Sequence, residues 1–206
     1  MKVRLHDEDR INVVTVGKLD QVYFNLLEKA VSTDTVRCQL LSFFYDYESK
    51  VIVSTDGRRL VIVDVTKLYL IDSLPTSNAR MEYNKGLLYV YKADCSGIFP
   101  SYKKVVPSDN LLETNGIEYD FSKKHQTLAI SKLLCDYSCP VDLQYLLDLE
   151  GCTYKVKASG TSSIRPLVLY NEVVTAVVMP VMYEFNRIME QVIQEEEESK
   201  EEKQAV

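Results

Sequence analysis

The sequence has few of the residues from which enzyme active sites are commonly built. Only two histidines are present, His6 and His125, which disfavours a triad that uses histidine as its base. The sequence also lacks a phosphate-binding glycine loop, a dinucleotide fingerprint and a paired-histidine metal motif. The hydroxyl-rich stretch Ser159–Ser163 lies between two predicted strands and is interpreted as a loop. We therefore expect no enzymatic activity, no metal and no cofactor.

Long apolar runs are also missing, and the first residues do not have the pattern of a signal peptide. We therefore expect a cytoplasmic protein without membrane contact. The five cysteines are odd in number and lack paired zinc spacing. Cys135 and Cys139 with His125 suggest a metal site that has no fourth ligand. Buried free thiols in a reducing cytosol are the favoured interpretation.

The net charge of -6 disfavours a general nucleic-acid coat protein. Part of this acidity lies in Glu195–Glu198 and Glu201–Glu202, so the rest of the chain is nearer to neutral and can carry a local basic face. A length of 206 residues with 46% hydrophobic residues is typical of a soluble globular protein of one or two domains.

Hydrophobic patterning predicts antiparallel strands with few helices. Ile11–Val16 is a β-branched strand, and the apolar residues from Leu19 to Ala30 recur at helical spacing. Asp56-Gly57 joins two β-branched runs, which predicts a tight hairpin. Strands are predicted over 40–47, 51–55, 58–65, 80–83, 87–93, 116–121, 127–130, 154–158, 164–170 and 173–179, and a short helix over 142–149.

Four short motifs carry a resemblance to a known family. They are Thr55-Asp-Gly-Arg-Arg-Leu60, Ile98-Phe-Pro-Ser-Tyr-Lys-Lys-Val-Val-Pro107, Leu143-Gln-Tyr-Leu-Leu-Asp148 and Ala176-Val-Val-Met-Pro-Val181. Each is similar to a segment of the bacterial replicative sliding clamp, the beta subunit of DNA polymerase III holoenzyme, and they occur in that family's order. The second motif departs from the family, because it has serine for an aspartate and lysines for arginines.

The resemblance implies an α+β fold of DNA-clamp-like modules, in which antiparallel sheets carry few helices. We divide the chain into module 1 over 1–107 and a compressed module 2 over 108–181, then a C-terminal helix over 182–194 and an acidic, disordered tail over 195–206. A full clamp subunit has three domains with two helices each, whereas one clear helix is predicted here in each module. The missing helices argue against ring closure and DNA encirclement, whereas the residues of the four motifs are present.

In the sliding-clamp family the four motifs converge on a pocket that binds short peptides of polymerases and clamp loaders. By this resemblance the peptide-binding residues are Thr55, Gly57, Arg58, Arg59, Leu60, Pro100, Lys104, Val105, Val177, Met179, Pro180 and Val181. The aliphatic members and the adaptable Met179 would form an apolar floor. Arg59 and Lys104 would meet a peptide carboxylate or backbone carbonyls at the rim. The alternative is that all these residues belong to the core of a hairpin and an edge strand.

A DNA-binding surface has less support from the sequence. Lys18 and Lys29 flank the first predicted helix and are the candidate DNA-binding residues, whereas the helix over 142–149 has no basic residue. A helix that faces duplex DNA is expected to present lysine or arginine to the phosphates, because non-specific affinity comes from counterion release. Lysine pairs such as Lys103-Lys104 are interpreted as solvated strand faces.

The chain continues beyond the fourth motif, where the family ends. Phe185, Ile188, Met189, Val192 and Ile193 recur at helical spacing. A helix with this stripe either covers the peptide groove in cis or packs elsewhere as an added core helix. The added core helix is the favoured interpretation, because amphipathic stripes usually serve packing.

The leading hypothesis is a divergent sliding-clamp homologue, a processivity factor of DNA replication or repair. Its partners would be replication or repair proteins that dock through short linear peptides, with double-stranded DNA as a further ligand. Two modules per chain would allow a homo-oligomeric ring of three subunits, associated with the nucleoid when DNA is bound. The alternative is a clamp-derived interaction or regulatory module that does not encircle DNA.

Overall fold

The fold is described from a computed structural model that covers residues 5–107, 113–137, 141–158 and 166–180. The strands are β1 Arg10–Thr15, β2 Phe43–Asp46, β3 Val51–Thr55, β4 Arg59–Asp64, β5 Ala79–Asn84, β6 Leu87–Lys92, β7 Glu113–Asp120, β8 Thr153–Ala158, β9 Leu167–Tyr170 and β10 Val174–Val178. The α-helices are α1 Gln21–Lys29, α2 Gln126–Tyr137 and α3 Leu143–Leu147. The predicted α+β class with antiparallel strands and few helices is confirmed.

All ten strands belong to one sheet, in the order β1-β6-β5-β2-β3-β4-β10-β9-β8-β7. Strands β1 to β6 form one half of the sheet and β7 to β10 form the other. The two halves join where β4 pairs with β10 in antiparallel register, with Leu60 opposite Val177. The division of the chain into two modules at residue 107 stays a prediction.

The sheet has a helical face and an outer face. On the helical face, side chains of the three helices, such as Phe24, Leu133 and Leu146, pack into the main hydrophobic core. On the outer face a smaller cluster contains Leu60 and Val177. This cluster is covered by the segment 97–106, which we call the strap. Because successive strand residues point to opposite faces, the central strands β2, β3, β4, β9 and β10 contribute to both clusters.

The predicted strand over 127–130 is wrong, since these residues lie inside α2. Ala129, Ile130 and Leu133 are buried together, a spacing that places them on one face of a helix. The β-branched Thr127 and Ile130 suggested a strand, but this packing decides the conformation. The second half of the sheet therefore carries two helices rather than the one predicted, and the predicted helix over 142–149 is α3.

The cysteines also differ from expectation. Cys38, Cys95, Cys135 and Cys152 are free thiols, as predicted, but Cys38 and Cys135 are exposed rather than buried. The described residues contain no group of three or more acidic, histidine or cysteine side chains that could hold a metal ion. Within the same residues no helix is long and apolar enough to cross a membrane.

Several predictions fall outside the described residues. They concern Cys139, the loop 159–163, Val181, the C-terminal helix over 182–194 and the acidic tail over 195–206.

Candidate functional site

A cavity of about 330 Å³ lies on the outer face of the sheet, where β4 meets β10. It is lined by Arg37, Gln39, Leu40, Thr55, Gly57, Arg58, Arg59, Leu60, Phe99, Pro100, Ser101, Tyr102, Val105, Val177 and Met179. Thus residues of the first, second and fourth motifs border one cavity, although they are far apart in the sequence.

Most of the residues predicted from the resemblance line this cavity. They are Thr55, Gly57, Arg58, Arg59, Leu60, Pro100, Val105, Val177 and Met179. Lys104 and Pro180 do not line it, and Val181 lies outside the described residues. The motifs gave no indication of Arg37, Gln39 or Leu40, which precede β2 and form a further wall.

The base of the cavity is made by residues that face each other across the β4–β10 pair. Leu60 and Val177 are directly opposite in register and are 3% and 1% exposed. Val105 and Met179 remain 46% and 37% exposed nearer the mouth. The cavity therefore has a buried aliphatic base and a partly exposed apolar mouth.

The predicted hairpin between β3 and β4 is present, but its loop is longer than the predicted tight turn. Thr55 pairs with Leu60, so four residues lie between the paired positions. The Asp56 carboxylate accepts hydrogen bonds from the backbone N–H groups of Arg58 and Arg59, at 2.9 and 3.0 Å. An aspartate at this position commonly shapes a turn in this way.

Thr55 and Gly57 also shape the loop. The Thr55 hydroxyl donates to the Arg59 carbonyl at 2.6 Å and accepts from the Gly57 N–H at 3.0 Å. Gly57 has φ +90, and a Cβ there would lie 2.8 Å from Nη1 of Arg37. Its backbone conformation therefore favours glycine, whereas the exposed Arg37 side chain could move away from a Cβ.

The Arg59 side chain lines the cavity, but its guanidinium already has partners within the protein. Its guanidinium donates to Asp56 Oδ2 at 3.1 Å, to Asp148 Oδ2 at 2.6 Å and to the Lys29 carbonyl. It also lies over the ring of Tyr145, 4.6 Å from the ring centre. Arg59 thus ties the hairpin loop to α1 and α3 on the helical face. Arg59 and Leu60 are adjacent in β4, so their side chains point to opposite faces of the sheet. This alternation is the sequence signal that places the Arg59 side chain on the helical face.

The cations beside the cavity are Arg37 and Arg58. Arg37 is 57% exposed and lies 3.8 Å from Asp34, a pair that water screens strongly. Arg58 is exposed and forms no ion pair with any described residue. Lys104, the other predicted rim cation, is exposed on the strap and does not line the cavity.

The carboxyl-terminal part of the strap is anchored by Asp46, which the motifs did not indicate. Asp46 Oδ2 accepts from the Tyr102 hydroxyl at 2.8 Å and pairs with Lys103 Nζ at 3.1 Å. Burial alone would raise the pKa of the Asp46 carboxyl. Hydrogen bonds from the Ser49 N–H, Tyr102 and Lys103 outweigh burial and hold this pKa well below its usual range. The carboxylate therefore stays charged and holds Tyr102 against the sheet.

The amino-terminal part of the strap is anchored by Arg80, which is fully buried. Its Nη1 donates to the Gln39 carbonyl and its Nη2 to the Gly97 carbonyl, each at 2.8 Å. The guanidinium lies 5.0 Å from the ring centre of Phe99, which stacks on Phe44 at 5.1 Å. One arginine thus fixes both the wall before β2 and the start of the strap.

The candidate DNA-binding lysines lie on a weakly basic surface. Lys18 is exposed in the turn before α1, and Lys29 Nζ is 3.9 Å from Asp148 Oδ1. Lys132 is the one basic residue of α2, and α3 has none. The helices therefore offer few positive charges to a phosphate backbone.

Comparison with known proteins gives no match to a protein-family model and none to a curated protein. Solved structures match the fold. The beta sliding clamp of Caulobacter crescentus aligns with TM-score 0.52 and 14% identity over 87% of this chain and 68% of the clamp. The DNA polymerase III beta chain of Streptococcus pneumoniae aligns with TM-score 0.52 and 13% identity over 87% of this chain and 66% of that chain.

These similarities show that the chain has the fold of the bacterial beta clamp, as the motifs implied. The chain spans about two thirds of the length of the clamp subunits it matches. At such low identity, the comparison establishes the fold and leaves function to the residues of the site.

The neighbouring arginines Arg58 and Arg59 should differ sharply in their effect on stability. Arg59→Ala leaves Asp148, which is 16% exposed, without its closest cation. We expect the free energy of unfolding to fall by about 2–3 kcal/mol, somewhat less than for a fully buried pair. Arg58→Ala should change it by less than about 0.5 kcal/mol, as is usual for an exposed side chain. Urea unfolding followed by far-UV circular dichroism measures both, and equal effects would contradict the assignment.

Proposed function

We propose that this protein is a sliding-clamp-like accessory protein of DNA replication or repair that binds linear peptides of polymerases or other partners. The observation that carries the proposal is the cavity at the β4–β10 junction. Residues from three separate clamp-like motifs line it, on a chain that has the clamp fold.

The chemistry of the cavity suits a short peptide with adjacent apolar side chains. Its volume of about 330 Å³ is at the small end of ligand pockets. Leu60 and Val177 offer a buried aliphatic base, and the flexible thioether of Met179 can adapt to different side chains. Arg37 and Arg58 at the edge favour an acidic residue or a terminal carboxylate next to the apolar pair.

The same lining supports binding rather than catalysis. Among the described residues that line the cavity there is no histidine, cysteine, aspartate or glutamate. A hydroxyl such as that of Ser101 therefore has no neighbouring base in the lining to activate it. The partners would be replication or repair proteins in the cytoplasm, near the nucleoid when the complex includes DNA.

The alternative, a regulatory module that does not encircle DNA, is favoured by the composition of the helical face. Leu128 of α2 is 72% exposed, and Leu143 and Leu147 of α3 are 50% and 37% exposed. These leucines are unsuited to contact phosphates, because such contacts are made by lysine and arginine. Ring formation by three subunits would need this weakly basic face to line the central opening.

A fluorescently labelled peptide with a Gln-x-x-Leu-Phe pattern should bind with a dissociation constant in the micromolar range, typical of grooves with few anchors. Met179→Asp places an unpaired charge at the apolar mouth and should abolish binding, because the apolar contact with the peptide is lost. Leu128→Asp is the matched control, since Leu128 lies on the other face of the sheet. Fluorescence anisotropy measures both, and normal binding by a folded Met179→Asp variant would refute the peptide site.

A separate measurement distinguishes encirclement of DNA from its absence. A closed ring would stay on circular duplex DNA at high salt and would be lost when the circle is cut. We expect no such retention for this protein. Simple contact between lysines and phosphates instead weakens steeply with salt on both forms of DNA. Salt-resistant retention on circles alone, seen by gel filtration of the complex, would establish a closed ring and overturn the regulatory alternative.

A further inference from the structure

Two thiols lie beside the buried arginine that supports the cavity wall. Cys38 is exposed, and its Sγ is 3.7 Å from the Ser96 carbonyl oxygen. Cys95, the residue before Ser96, is half-buried. The segments that carry the two cysteines are held together by Arg80, which donates to the carbonyls of Gln39 and Gly97 at 2.8 Å each.

Arg80 also places a buried positive charge close to the two thiols. It is fully buried and forms no ion pair with a carboxylate among the described residues, and its Nε has no hydrogen-bond partner there. Both thiols lie close enough to influence its guanidinium electrostatically. Arg80 therefore marks the place where the two thiol-bearing segments meet.

The two thiols differ in how they can react. Burial raises the pKa of the Cys95 thiol, and the Arg80 guanidinium opposes this rise. Cys95 is therefore mainly a protonated thiol at neutral pH, whereas Cys38 is open to solvent. An oxidant in solution can reach Cys38 first, and Cys95 is then the neighbouring thiol that can complete the reaction.

We propose that Cys38 and Cys95 form a dithiol site that exchanges with low-molecular-weight disulfides and closes to a reversible Cys38–Cys95 disulfide. The Cys38 thiolate attacks one sulfur of oxidised glutathione, which forms a mixed disulfide and releases one glutathione. Cys95 then attacks Cys38 Sγ, which breaks the mixed disulfide and releases the second glutathione. The two protons of the protein thiols pass to the two departing glutathione thiolates, and the protein is oxidised by two electrons.

The disulfide would tie together two segments that border the cavity. Cys38 lies directly between Arg37 and Gln39, which line one wall, and Cys95 precedes the strap that supplies Phe99 and Pro100. In the reduced protein, these segments are held by non-covalent contacts, chiefly the hydrogen bonds of Arg80. Oxidation would add a covalent link at the same place, so the cavity wall would become more rigid. The thiol chemistry does not depend on the peptide-binding proposal.

The test uses the full chain, reduced and then incubated with oxidised glutathione. Peptide mapping without reductant should recover the Cys38–Cys95 link, and the linked peptides should be two hydrogens lighter than the two free peptides together. Cys95→Ser should instead stop at a stable mixed disulfide on Cys38. Cys135→Ser, which removes an exposed thiol on α2, is the matched control and should form the link as the wild type does.

Two results would overturn the dithiol site. One is a wild-type protein that accumulates the mixed disulfide on Cys38 while Cys95 remains free. The other is oxidation that pairs either cysteine with a different residue. Backbone hydrogen exchange over 37–40 and 97–102 should also slow several-fold on oxidation and recover with reductant. Unchanged exchange in a protein that carries the link would contradict the stiffening of the wall.

Discussion

The antiparallel pairing of β4 with β10 holds the two halves of the sheet together and forms the base of the cavity. It joins the two halves of the sheet, and it places Leu60 opposite Val177 and Arg59 opposite Val178. A slip of one residue in this register would turn every side chain of β10 to the other face. The aliphatic base of the cavity would then be lost. The cavity is therefore a property of the junction between the two halves and of neither half alone.

The same pairing connects the cavity to the helical face. Leu60 points into the outer cluster, whereas its neighbour Arg59 reaches Asp148, directly after α3, and the Lys29 carbonyl at the end of α1. The position of the hairpin loop is thus set from the helical side of the sheet. On the outer side, Asp46 and Arg80 fix the two ends of the strap. Polar contacts of Arg59, Asp46 and Arg80 thus position the segments around the cavity, whereas its base is apolar.

Much of the fold could be predicted from local patterns, because hairpins and amphipathic helices are specified by neighbouring residues. The strand over 127–130 was wrong because the burial of Ala129 and Leu133 in a helix depends on distant partners. The motifs identified most of the cavity lining, but a motif does not state which face each residue takes. Arg59 lines the cavity as predicted, but the motif gave no sign that Asp56 and Asp148 hold its guanidinium. Arg80 and Asp46 were missed because their partners are carbonyls and hydroxyls far away in the sequence.

A methyl NMR titration of the protein with the Gln-x-x-Leu-Phe peptide tests directly whether the cavity binds peptides. If the β4–β10 junction is a peptide site, the methyl signals of Leu60, Val177 and Met179 will shift as peptide is added. Those of Ile11, an exposed residue on the edge strand β1, and of Leu128 on α2 will stay in place. Shifts confined to Ile11 or Leu128, or none at the junction at saturating peptide, would contradict the account.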